Sequence, residues 1–525
     1  MIKEYFWVAV IGVLLNTTLI IADSAGFLPL SFSIFILVFL GIFLLALYRP
    51  IWVFWLFIIS LPLESVIISS DQIPISFRPF QMIGLMLFSA TVVLIGLKIK
   101  NKNLPELIKF DKNNFFKGGS CFNWADSLVL ALCFWSFISL TNALAFGATL
   151  KLNLVLTSFS MIYFLSRFYL REYQRKLEAL WFFVATSLPV LIFGIYQAVA
   201  FKYNWIDFQV FAERSNGTFT EPDWFGIYLV FLAAVVYWVK LQLFSTKNST
   251  MIARFEIRLV GQWFLNFYLF LIFLVLLLTV ARSAWLGFLG LTILYFSLLL
   301  WQKRLFKLKS FKLKSFFRES VSVGAVYFLS ILAVIVFGLS NFNLADRASS
   351  PVSGLQEVTI SCLEDSKVPE QISRIEELDK YNCRHINLNE IESEQTLGME
   401  VKKVHRIDPN IAIRKNIYGT TWREIGKHFL VGQGLGSSSE ILGEDSYGHG
   451  LNTSNIFLEV WLSFGLVGLL IFLSLFLLPG ILALKDIQNK SNTSTFSFFV
   501  ILSGTALLIP IFLMLEYFYL FFGFG

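Results

Sequence analysis

The chain has 525 residues, of which 56% are hydrophobic, 17% aromatic and only 15% charged. A water-solvated domain carries about a quarter charged residues, so this composition excludes an ordinary soluble enzyme and leaves a polytopic membrane protein. The formal charge of +7 does not mark a nucleic-acid partner, because the basic residues sit in short connections between apolar blocks.

The apolar run from Phe6 to Ala22 is followed by a second apolar block rather than a cleavage site, so it reads as a first transmembrane helix. Further spans are expected near residues 29–47, 51–69, 81–98, 126–147, 152–170, 178–201, 224–244, 260–280, 284–301, 321–340 and 453–480. Each is long enough to cross ~30 Å of hydrocarbon as a helix. From Thr495 the chain is again apolar but holds Pro510 and Glu516, which fits one kinked span or a re-entrant segment. The expected fold is an all-α transmembrane bundle of about 12–13 spans. Residues 1–340 carry the first eleven spans, 341–452 a soluble cap, and 453–525 the C-terminal helices.

Orientation follows from Lys and Arg in the short loops. Lys98 to Lys117, Arg171 to Lys176, Lys247 to Arg258 and Lys303 to Arg318 enclose basic clusters that all fall on one side when the spans are counted. That side is expected to be cytoplasmic, with the N-terminus on it and the protein multi-pass in the plasma (inner) membrane. The last cluster holds a repeated Phe-Lys-Leu-Lys-Ser at 306–310 and 311–315, suited to anionic membrane lipids. Left on the other side are 70–80, 202–223, the turn around Arg282, and the cap, with 17 acids against 12 Lys and Arg. Cys362 and Cys383 both lie in the cap, where an oxidising compartment permits a disulfide between them. Thr421-Trp-Arg-Glu424 has the form of a capping box for a short amphipathic helix carrying Trp422, Ile425 and Phe429. The following Gly432-Gln-Gly-Leu-Gly436 lacks the Lys-Ser/Thr of a phosphate loop and is not read as a nucleotide site.

Charged groups at span ends are the first candidates for chemistry, since charge is costly at membrane depth. Arg282, in Thr279-Val-Ala-Arg-Ser-Ala-Trp285, has almost no polar sequence around it. A guanidinium held there suits a paired grip on a lipid diphosphate, and the plainer alternative is a topology anchor. Arg214 lies shortly before a span, with Glu221 and Asp223 close behind it. His385, His405, His428 and His449 are the only histidines, all in the cap. His449 sits between Gly448 and Gly450 just ahead of a span; it reads either as a base for a sugar hydroxyl or as an exposed loop side chain. No metal-ligand spacing is seen.

Gly217-Thr-Phe-Thr-Glu-Pro-Asp-Trp-Phe-Gly226, the Thr279-Val-Ala-Arg-Ser turn, Trp422 to Gly436, and Ser454-Asn-Ile-Phe-Leu-Glu-Val-Trp-Leu-Ser-Phe-Gly-Leu-Val-Gly468 follow one another across a long loop. In this order they resemble the O-antigen ligase and O-antigen polymerase family, over roughly residues 200–480. The resemblance implies a glycosyltransferase that moves a glycan from an undecaprenyl-diphosphate carrier to a glycan, lipid or protein acceptor outside the cytoplasm, with no metal or other cofactor. By the same likeness Arg282 and Arg214 hold the diphosphate. Glu221, Asp223 and Asn455 are expected beside them as substrate-binding residues. Members often carry His-Asn where this chain has Ser454-Asn455. Either His449, a few residues upstream, supplies the missing base, or another group such as Glu459 does, or the acceptor chemistry differs; His449 is the expected one. A transporter or flippase for a lipid-linked glycan or a small anion is the competing expectation; it calls for ionisable groups or broken helices near mid-membrane.

Overall fold

The computed structural model describes residues 2–70, 72, 76–100, 124–203, 205, 214–245, 258–305, 313–340, 344, 355–363, 366, 368–386, 390–407, 409–443, 451–453, 455–488, 497 and 499–503. His449, Ser454, the basic clusters around 101–117 and 306–312, and most of the last apolar segment lie outside these residues.

Backbone polar groups have no water partners in hydrocarbon, so long apolar runs close their own hydrogen bonds as helices. Those described before the cap are α1 (Ile2–Ser24), α2 (Phe32–Tyr48), α3 (Pro50–Ser60), α4 (Pro79–Lys100), α5 (Trp124–Ile138), α6 (Phe146–Tyr169), α7 (Tyr173–Lys202), α8 (Pro222–Ser245), α9 (Arg258–Thr279), α10 (Arg282–Leu305) and α11 (Leu313–Phe337). With α15 (Ile456–Gln488), ten helices among the described residues are long and apolar enough to cross a membrane, and α2 and α3 are shorter. α8 is the axis of the bundle: Tyr228, Tyr237 and Trp238 are sealed in, while α1 and α11 keep most of their surface for lipid.

The span expected at 51–69 is corrected. Only α3, eleven residues long, is helical there, about 16 Å of rise against ~30 Å of hydrocarbon. The chain then runs on irregularly, with Leu61, Leu63 and Val66 buried. Such backbone is tolerated at depth only inside protein with its polar groups satisfied. Here Ser65 N–H donates to Thr218 O at 2.9 Å and Ile68 N–H to Phe77 O at 3.0 Å, while Ile68 O accepts from Leu30 N–H at 3.3 Å.

The bundle is all-α as expected, whereas the cap adds a small sheet. Strands β1 (Leu355–Cys362), β2 (Gln371–Ile372), β3 (Cys383–His385) and β4 (Glu400–Ile407) line up in the order β2-β4-β1-β3. β1 runs antiparallel to β4, from Leu355 opposite Ile407 to Cys362 opposite Glu400. Alternation puts Val358, Ile360 and Cys362 on one face, packed with Ile372, Leu378, Cys383 and Val404. Cys362 and Cys383 are register partners between β1 and β3, and they are joined by a disulfide. Helix α12 (Ile391–Thr396) crosses to β4, and α13 (Pro409–Lys427) and α14 (Ser437–Leu442) lead to α15.

The capping box at Thr421 is also corrected. Thr421 lies well inside α13, buried, and Glu424 pairs with Lys427 at 2.6 Å instead of reaching back. Pro409 begins the helix, where its missing N–H costs nothing.

Candidate functional site

The α9–α10 connection is two residues, Val280 and Ala281. Thr279 Oγ1 donates to Leu276 O at 2.8 Å and accepts from Ala281 N–H at 3.2 Å, folding the side chain into the turn. Trp285 closes it from the far side, its indole N–H donating to Leu276 O at 2.9 Å. Val280 is held at φ +54°, a conformation that costs a β-branched residue about 1–3 kcal/mol and survives only where its surroundings dictate it. The dictating contact is α8. A methyl group at Gly226 would come within 2.7 Å of the Ala284 Cβ and 3.0 Å of the Ala281 Cβ, so the start of α10 presses on the start of α8. Arg282 is thereby fixed, partly buried, in the first turn of α10.

The segment before α8 is sewn to this turn. Ser215 N–H donates to Leu278 O at 3.1 Å, and Ser215 Oγ to Gly194 O at 2.8 Å. Gln197 of α7 accepts from Gly217 N–H at 2.7 Å and donates to Asn216 Oδ1 at 3.0 Å. Arg214 donates through Nε to Thr279 O at 2.9 Å and through Nη2 to Asp223 Oδ1 at 2.9 Å. The structure therefore joins Arg214 to Asp223 directly and to the backbone three residues before Arg282. Glu221 sits between them in sequence, partly buried, and its carbonyl takes the Phe225 N–H at 3.1 Å.

Two further residues, Glu64 and Arg78, belong to this cluster without being among the expected site residues. Glu64, 1% exposed, forms an ion pair with Arg78. Its Oε2 also accepts from the Thr220 backbone N–H at 2.8 Å and hydroxyl at 3.0 Å. Arg78, about a quarter exposed, precedes α4 and so brings a third guanidinium to the 214–223 segment. A lone Glu in an otherwise apolar run was the available signal.

The glycine run is a lock, not a phosphate loop. Gly465 interrupts α15 at φ +66° and ψ −172°, and a break in a span frees carbonyls that neighbours must satisfy. Gln433 N–H donates to Leu462 O and Gly434 N–H to Ser463 O, both at 2.9 Å, and the Trp135 indole reaches Phe464 O at 2.8 Å. In return Leu466 N–H donates to Phe429 O at 2.8 Å. A methyl group at Gly432 would lie 2.5 Å from backbone atoms of Ser463 and Gly465, so the two segments touch main chain to main chain.

At the head of α15, Asn455 is used locally, its Oδ1 accepting from Phe457 N–H at 3.0 Å and Leu458 N–H at 3.3 Å. Glu459, one turn on, accepts from Ser438 Oγ at 2.8 Å and Thr453 N–H at 3.2 Å, tying α14 to α15. Among the described residues no group of three or more His, Cys, Asp and Glu gathers as a metal site.

Residues 267–473 match the family model described as O-antigen ligase. This segment is an O-antigen ligase domain. It runs from inside α9 through the Thr279–Arg282 turn, the cap and the glycine lock to just past the break in α15, and it makes the protein a membrane enzyme of the glycan ligase or polymerase type. Arg214, Glu64 and Arg78 lie outside the matched segment yet are bonded, directly or through Thr220, to what packs on it. No curated protein and no solved structure matches the chain.

Proposed function

We propose that the protein transfers or polymerises a glycan from an undecaprenyl-diphosphate carrier onto an acceptor outside the cytoplasm, without a metal ion. The observation that carries this reading is the arginine pair on a strained, over-determined turn of the O-antigen ligase domain: Arg214 bonded to Thr279 O, and Arg282 beginning α10. The free N–H groups of a helix's first turn add positive potential at the same end. Transfer breaks the bond between the sugar C1 and the diphosphate oxygen, which leaves with the electron pair, while an acceptor hydroxyl oxygen bonds C1. Fixed guanidinium groups stabilise the charge that develops on the leaving diphosphate. The hydroxyl proton goes to a base, which we assign to His449, with Glu459 at the foot of the cap as the alternative. Glu221, Asp223 and Asn455 line the sugar path in this reading. The protein is read as an inner-membrane enzyme with its N-terminus in the cytoplasm and its cap outside.

Purified protein given polyprenyl-diphosphate-linked glycan and acceptor tests this reading. Arg282→Lys, which keeps the charge and loses the two-pronged fork, is expected to lower turnover by ~100-fold or more. Unchanged turnover would make Arg282 an anchor only. The break in α15 is a feature a transporter also shows. Deleting the gene separates the cases. Single repeat units on the acceptor mark a lost polymerase, long polymer stranded on the carrier a lost ligase, and unaltered surface glycan a transporter.

A further inference from the structure

Helix α13 shows two unlike sides. Ile417, Thr421 and Ile425, four apart, are buried against the rest of the chain. Away from them, Trp422 is 53% exposed, and just past the helix Phe429 and Leu430 are 44% and 58% exposed. Between residues 409 and 430 there are four cations, Arg414, Lys415, Arg423 and Lys427, and one acid, Glu424. Glu424 is matched by Lys427, which holds its carboxyl below the usual carboxylate range. Arg414, Lys415 and Arg423 are exposed, and the Arg423 side chain bonds its own helix's preceding turn, at Gly419 O and Thr420 Oγ1.

The height of this surface is fixed by the glycine lock. The carbonyl of Phe429 is bonded to Leu466 N–H at 2.8 Å, and the Phe429 and Trp422 rings each lie 5.4 Å from the Trp461 ring. In α15 the residues from 460 to 484 carry no charge, so Glu459 marks one end of the hydrocarbon-crossing run. Trp461 and Leu466 lie only ~3–10 Å inside that end. Trp422, Phe429 and Leu430 are therefore exposed at the level where hydrocarbon meets headgroups, and the cations of α13 stand beside them. Rings and aliphatic groups dipped below a basic face are what an interfacial helix presents to anionic lipid.

We propose that α13 is an interfacial helix whose Trp422, Phe429 and Leu430 seat in the leaflet on the cap side, while Arg414, Lys415 and Arg423 bind the phosphate of anionic lipid headgroups. The inference requires only that α15 spans the membrane and is independent of the glycan-transfer reading. Its consequence is that phosphate-bearing lipid gathers at one edge of the cap.

Full-length protein in nanodiscs tests it, with Cys121→Ser and Cys133→Ala removing the cysteines other than Cys362 and Cys383, and a fluorophore on Phe429→Cys or, separately, Leu430→Cys. Nitroxide placed shallowly in the lipid should quench both probes, with little quenching by aqueous iodide. Energy transfer from the probe to labelled phosphatidylglycerol should exceed that to labelled phosphatidylcholine. Replacing Arg414, Lys415 and Arg423 by Gln should reduce that preference by about five-fold per cation. Efficient iodide quenching with no nitroxide quenching would put α13 in water and overturn the proposal. So would an undiminished phosphatidylglycerol preference in the triple variant.

Discussion

Glu64 holds Arg78 with one carboxylate oxygen and the Thr220 N–H and hydroxyl with the other. Through Thr220 it sets where Glu221 and Asp223 stand, and through Asp223 the plane of Arg214. Breaking a buried pair from one side leaves the other charge uncompensated, and Arg78's partial exposure softens that penalty. Glu64→Gln is expected to destabilise the protein by about 2 kcal/mol and to impair transfer. Adding Arg78→Gln should restore part of the thermal stability but not the activity. A Tm unchanged in Glu64→Gln would show that the pair does not organise the segment. The place of Arg282 at a helix start is legible in the sequence, because an arginine in a turn with almost no other polar residue is conspicuous. The role of Glu64 is not: Glu64 and Thr220 are 156 residues apart, and a carboxylate within an apolar block looks like an interruption until its partners are seen.

The elements repeat that lesson where helices end. Runs such as Pro222–Ser245 or Arg282–Leu305 emerged within a few residues of their expected bounds, since apolar length alone specifies a membrane helix. α3 did not, because Leu61 to Ile68 is as apolar as a span and only burial beneath the 218–220 segment makes it irregular. The break in α15 was equally hidden, as glycine is common in membrane helices. Gly465 occupies a backbone region essentially reserved for glycine, costing any other residue roughly 1–3 kcal/mol. A methyl group there would also stand 2.2 Å from the Leu430 carbonyl carbon and oxygen, which cannot swing aside as a side chain can. Gly465→Ala should therefore lower stability by more than ~2 kcal/mol. It should also release the cap, seen as faster hydrogen exchange at Gln433 and Gly434. Wild-type exchange at both amides would mean that the lock does not depend on the break. The cap sheet was missed for a different reason: three alternating apolar residues, Val358, Ile360 and Cys362, are too short a pattern to stand out in a segment rich in charge.

In the whole molecule, charge is sorted to the two ends of the bundle. Arg214, Asp223, Glu64 and Arg78 gather before α8 and α4, and the cap leaves from the same end, because Lys202 at the end of α7 donates to Phe337 O at the end of α11. Lys240 lies 18 residues beyond Pro222 on α8, so its pair with Glu319 sits ~27 Å from the arginines. The Asp126–Arg167 pair, 3.0 Å apart, joins the start of α5 to the end of α6 at that opposite end. In the proposed reading these cations face the side where a lipid-linked diphosphate arrives, opposite the loop cations expected on the cytoplasmic face. In spheroplasts, Ser283→Cys, exposed beside Arg282, should react with a membrane-impermeant maleimide, while a cysteine replacing Lys309 should react only after lysis. The reverse pattern would turn the arginine cluster toward the cytoplasm, where an acceptor outside the cell cannot meet it, and the glycan-transfer reading would fall with it.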